Sequence, residues 1–365
     1  MSYADTISDT PRVSYAWMFS RQYDILFFFA PIAFGIFVYL LSKVTLDGAS
    51  ALWIALIINA FGAGPFHQGP TLFFFWDKEH RAHFASTRKK QFIFFVCPAL
   101  IMVASILGMF YCQWLTYLIA VAWAIQHLVQ QNIGILLLYH NWKRGEAIVP
   151  KQLEIISQWA PAIFFSAVFA YRTLLSGPGN LAIHAILAIL GIWATFCVAT
   201  YITTMRKLYN QGASINAPAL AFWVCSVLSL LPLSFLGSSF DEAFLIPVTA
   251  HWFQYIGLNY SLVKEKYVNA SSANLPSLSP LLLFFGTCVV LLTLGIGIAS
   301  FKVESKLHHE QSALLLAGGI LVGLANVHYF LDAFIWRFRE SYQRESVLPF
   351  LLKPREKKKW AEEAS

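Results

Sequence analysis

Apolar runs of about twenty residues recur along the chain, each bounded by charged or turn-forming residues, and none shows the two-residue alternation of a barrel strand. Inside lipid, backbone polar groups can be satisfied only in helices or closed barrels, so continuous runs of this length predict membrane-crossing helices. Ten spans are expected, at approximately 24–44, 52–76, 92–112, 115–140, 155–175, 181–205, 216–236, 243–263, 280–301 and 312–338. Odd-numbered spans are apolar throughout, whereas even-numbered spans carry polar residues in their middles. The pattern predicts an all-α polytopic bundle built of helical hairpins, without a residue-level repeat.

Composition agrees: 58% of the 365 residues are hydrophobic and 12% charged, and the mean hydropathy is +0.58, outside the usual range of soluble domains. Charge adds an orientation. Placing the N-terminus in the cytoplasm puts all but four of the 26 basic residues on that side, leaving Lys43, Arg172, Lys302 and Lys306 outside. Both termini are then cytoplasmic, in a multi-pass protein of a bacterial inner membrane. Residues 1–23 read as a cytoplasmic arm rather than a signal peptide, 24–338 as one transmembrane domain, and 339–365 as a basic cytoplasmic tail. The net charge of +7 belongs to this topology and to contact with anionic headgroups through Arg355, Lys357, Lys358 and Lys359. It calls for no nucleic acid. The five cysteines lie within or at the ends of spans without CxxC spacing, as small apolar residues do.

The histidines carry the chemistry. His67, His127, His251 and His328 fall in spans two, four, eight and ten, which all run in the same direction. Counted to the basic anchors at the inner ends, their depths differ by roughly 10 Å at about 1.5 Å rise per residue, so the four imidazoles can share a layer. One intramembrane histidine can serve as interhelical glue. Four at similar depth point to a metal or haem site, or to a proton pathway, because ionisable groups are costly in hydrocarbon.

Neighbouring residues extend this layer. Asp332 follows His328 by four residues, on the same helix face, where it can ligate or orient. Gln130 and Gln131 follow His127, Gln254 follows His251, and Asn326 precedes His328; these amides are expected to surround the cofactor. In GPFHQGP, the prolines and glycines around His67 predict a kinked or unwound segment at a pocket. His80 and His83, in WDKEHRAHF, read as part of a solvated charged loop, and His140, His184, His308 and His309 lie outside the expected layer.

Imidazoles with a carboxylate suit iron, zinc or copper, and an open histidine-rich iron site suits dioxygen activation. GPFHQGP around His67 and VHYFLDAFIWR around His328, with HLVQQN and AHWFQYIGLNY between them in order, resemble the segments of Brp/Blh-type membrane β-carotene dioxygenases. The resemblance implies iron held by His67, His127, His251 and His328 with Asp332 close by, and a lipid or isoprenoid substrate oxidised with dioxygen. In the third segment this chain has Gln254 and Asn259 where that family has a second histidine. No nucleotide-binding motif is evident, so electrons would come from an external donor or from the substrate. Two other classes stay open. Haem b is suggested by His67 with His80 and His127 with His140, each pair 13 apart, and would make the protein an electron carrier. A proton-coupled transporter would use the interrupted span two and a relay through His328 and Asp332.

Overall fold

The computed structural model describes residues 13–45, 63–140, 149–174, 181–235, 240–270, 275 and 278–352. Strand β1 (Val13–Ser14) precedes a helical run that passes through a π turn at Ile25–Phe29 into α1 (Ala30–Thr45). Next come α2 (Ala63–Phe73), the short α3 (Lys78–Ala85), and a second run whose π turn at Phe92–Val96 leads into α4 (Cys97–Tyr111). The remaining elements are α5 (Gln113–His140), α6 (Lys151–Leu174), α7 (Leu181–Asn210), β2 (Ile215–Asn216), α8 (Ala217–Ser229), α9 (Phe240–Val263), α10 (Pro280–Leu307), α11 (Gln311–Ile335) and α12 (Ser341–Ser346). Pro31 and Pro98 each follow a π turn by two residues. A proline lacks the N–H for the carbonyl four residues back, and the wider turn lets the helix pass it without a break.

Eight described helices are long and apolar enough to cross a membrane, and each matches an expected span. Span 52–76 falls partly outside the described residues, and span 243–263 is covered by α9. The tail residues Arg355, Lys357, Lys358 and Lys359 also lie outside them. Of the expected kinked or unwound segment, the unwinding is absent: α2 is α-helical throughout Ala63–Phe73, Pro70 included. Proline there deprives only the Phe66 carbonyl of its partner, and tight packing on both sides of His67 holds the helix in place.

Contacts divide the chain into two units, Met1–Ile32 with Val129–Ile246, and Ala33–Leu128 with Pro247–Ser365. In the first, α6 packs on α7, and β1 pairs in parallel with β2. Asn216 clamps the arm there, accepting from Ala16 N and donating to its carbonyl, both at 3.1 Å. Buried Asp24 accepts from Met18 N at 2.6 Å, Phe19 N at 3.0 Å and the Tyr139 hydroxyl at 3.0 Å. His140 Nε2 lies 2.6 Å from Glu154 Oε1, and Tyr201 stacks on Trp223 with centroids 4.1 Å apart.

In the second unit, α11 packs on α4 and α10 on α2, both antiparallel and through small residues. A Cβ at Gly319 would stand 2.7 Å from Ile106 Cα, and one at Gly69 would stand 2.5 Å from Cys288 Cα. Since backbone cannot yield as a side chain can, Gly69→Ala should cost about 1–3 kcal/mol by overpacking. Thermal unfolding in detergent measures this, with Gly134→Ala as control, because nothing lies within 4 Å of its added Cβ.

Candidate metal centre

Within the second unit, helices α2, α5, α9 and α11 bring His67, His127, His251 and His328 together, all buried. Ring centroids lie 4.7 Å apart for His67–His328 and His127–His251, 4.9 Å for His127–His328 and 5.0 Å for His67–His251, with rings edge to face. Among the described residues, two sets of three donors could hold a metal ion: His67, His251 and His328, and His127, His328 and Asp332. In each set the ligand atoms lie within 4.8 Å of one another, and His328 belongs to both.

Local bonding sets how two of these groups present themselves. His67 donates from Nδ1 to the Gly64 carbonyl, which can only accept, so its lone pair is on Nε2. Asp332 accepts at Oδ1 from the Thr71 hydroxyl at 2.8 Å and the Tyr255 hydroxyl at 2.7 Å. Its Oδ2 has no hydrogen-bond partner among the described residues and lies 3.9 Å from His127 Nε2. His127 Nε2 and His328 Nε2 are likewise buried without a hydrogen bond among these residues. Buried polar atoms are nearly always satisfied. Three such atoms stand on one cluster, all on groups that could hold a metal ion.

Thr71 and Tyr255 are functional candidates that the sequence reading missed. Each stands four residues after a histidine of the layer, as Asp332 does after His328. The residues at these positions bond to one another, so α2, α9 and α11 run in the same direction and present an oxygen layer about one turn beyond the imidazoles. Trp336, one turn further, donates to the Tyr255 hydroxyl at 3.4 Å.

The expected amides divide. Gln254 is buried. Asn326 is also buried but donates to Ser105 on α4 at 3.3 Å, tying two helices together. Gln130 is exposed and Gln131 half-buried.

His80 is buried rather than solvated, in a second polar cluster of the same unit. Asp77 caps α3, accepting from Glu79 N at 2.8 Å and His80 N at 3.4 Å. Lys266 reaches Asp77 Oδ2 and His80 Nε2, each at 3.1 Å, and Glu79 at 3.5 Å. Tyr267 donates to Asp77, and His80 Nδ1 faces the Tyr342 hydroxyl at 3.0 Å. Burial alone would raise the Asp77 carboxyl, but the Lys266 charge and the bonds from Tyr267 and Lys266 outweigh it and hold it below the ordinary value. Burial, aided by the Lys266 ammonium, holds the His80 imidazole down at about 3. Lys266 therefore donates to neutral His80 at Nε2, and His80 donates from Nδ1 to Tyr342.

No family model, curated protein or solved structure matches the chain, so its function is argued from this geometry.

Proposed function

We propose that this protein is a membrane-embedded non-haem iron oxygenase acting on a lipid or isoprenoid substrate, with His67, His127, His251 and His328 as metal ligands and Asp332 as a ligand or orienting carboxylate. The observation that carries the reading is the convergence of four imidazoles and a carboxylate from four helices, with His127 Nε2, His328 Nε2 and Asp332 Oδ2 buried and unbonded. An intramembrane carboxylate is costly unless it is paired or neutralised, and a bound cation would pair it. The donor set, neutral nitrogens with one anionic oxygen, fits iron(II), as it fits zinc and copper. Bound iron would supply one-electron chemistry and dioxygen activation at this depth.

The chain's own residues supply position and selectivity. Thr71, Tyr255 and Trp336 occupy one side of the imidazole layer with hydroxyl and indole groups. On the other side, three residues before each histidine, stand Gly64, Ala124, Val248 and Ala325. These apolar positions share the helix faces of the histidines, and that is the side on which an apolar substrate chain would lie. Enlarging Ala124 or Ala325 to Phe should lower turnover at least tenfold, about 1.4 kcal/mol in barrier, while leaving metal content unchanged, checked by assay and elemental analysis of the same preparation.

The same geometry favours an ion over haem. A bis-histidine haem needs imidazoles on opposite faces of a flat macrocycle, and rings in edge-to-face contact enclose no such slot. His80 bonds through both nitrogens to Lys266 and Tyr342, and His140 is engaged by Glu154. Elemental analysis and an absorption spectrum of purified protein test the reading, followed by dioxygen uptake on addition of lipid or isoprenoid. Near-stoichiometric iron with lipid-dependent uptake is expected. A Soret band, or protein that takes up no metal even after loading with iron(II), would overturn it.

A further inference from the structure

We infer that Thr71 and Tyr255 are the positioning residues of the centre, Thr71 fixing the tautomer of His328 and the two hydroxyls together leaving Asp332 a single oxygen with which to bind metal. The inference rests on the metal reading above. It follows from counting protons. Thr71 Oγ1 lies 2.8 Å from the Tyr255 hydroxyl, 2.8 Å from Asp332 Oδ1 and 2.7 Å from His328 Nδ1, yet carries one hydrogen. As an ionised metal ligand, the state the metal reading requires, Asp332 only accepts at Oδ1, and it receives the protons of both hydroxyls. With its hydrogen committed to Asp332, Thr71 faces His328 with lone pairs alone. A lone pair on His328 Nδ1 would repel it at that distance, so Nδ1 carries the proton and donates.

The consequence reaches the ligand atoms. With Nδ1 protonated, His328 offers its lone pair at Nε2, the atom that has no hydrogen bond among the described residues. One nitrogen cannot serve two ions, so the two donor sets that share His328 describe one mononuclear centre. Asp332 has Oδ1 filled by two donors and Oδ2 unbonded, which makes it a one-oxygen ligand. Thr71 acts on both ligands at once, and Tyr255 on one.

The test is metal affinity in Thr71→Val, Thr71→Ser and Tyr255→Phe, measured by chelator competition with iron(II) and with zinc(II) on the full chain in detergent. Removing groups that orient metal ligands typically costs about 10–100-fold in affinity, and Thr71→Val should fall in that range. Tyr255→Phe should lose less, and Thr71→Ser should return to near wild type. A merely structural threonine would lower the melting temperature of metal-free Thr71→Val and leave its metal affinity unchanged. Unchanged affinity in folded Thr71→Val would sink this inference while leaving the centre standing. Wild-type protein that takes up no metal would sink both, and two bound ions per chain would overturn the mononuclear assignment.

Discussion

His328→Ala should empty the centre. His328 is the ligand common to both donor sets, so its loss leaves neither set complete. Removing a supporting group costs about 10–100-fold in metal affinity, and removing the shared ligand should exceed that. Metal per chain, by elemental analysis after dialysis against a weak chelator, should fall to background, and oxygen uptake with it. Alanine also leaves a cavity, so the melting temperature of metal-free variant and wild type must be compared. His184→Ala supplies the control: His184 pairs with the Tyr171 hydroxyl at 2.8 Å in the other unit and should keep full metal. A folded His328→Ala protein that retained both metal and turnover would remove the basis of the proposed function.

Much of this centre was legible because membrane helices expose their exceptions. Against long apolar runs, four histidines and one aspartate are conspicuous, and anchor counting places them in a common layer. Thr71 and Tyr255 were hidden because neither is ionisable and both are ordinary in apolar helices. The spacing that gave Asp332 from His328, four residues on one face, gives Thr71 from His67 and Tyr255 from His251 when applied to each helix. The same geometry explains the amides. Asn326 lies two residues from His328, about 200° around the helix, and faces α4 instead. The solvated-loop reading of His80 failed for another reason: the Lys266 that buries it is 186 positions away, and composition near His80 carries no trace of that partner. Pro70 misled in the opposite sense, since the loss of one hydrogen bond is smaller than the packing that Gly69 makes on Cys288.

Lys266→Met should destabilise the protein and flatten its response to pH. Lys266 is buried with Asp77, so removing it leaves a carboxylate without its cation, a change that costs about 3–5 kcal/mol. In the wild type, His80 is held near 3 in the folded state against an ordinary value of 6.5. Between these values the unfolded chain binds the extra proton, so His80's contribution is complete above 6.5 and is lost as pH falls, at about 1.4 kcal/mol per unit. Asp77, lowered by folding, adds a loss of the same sign at more acid pH. Without Lys266, His80 is the cationic group that faces Asp77 among the described residues, with its Nε2 3.6 Å from Oδ2. His80 then loses the repelling ammonium and keeps its burial penalty, so its folded value rises from about 3 toward the ordinary one and less of its contribution is lost as pH falls. Glu79, His83, Lys90, Glu340, Tyr267 and Tyr342 complete the charged and titratable surroundings and are common to both proteins. Melting temperatures at about pH 5.5 and about pH 7.5 read this out, and the difference between variant and wild type cancels the titration of the buried histidine layer. Wild type should be more stable at the higher pH, and Lys266→Met should close up to about 1.4 kcal/mol of its deficit at the lower. A deficit that stayed constant across that interval would show that His80 cannot replace the lysine, and that the pair with Asp77 is not what Lys266 supplies.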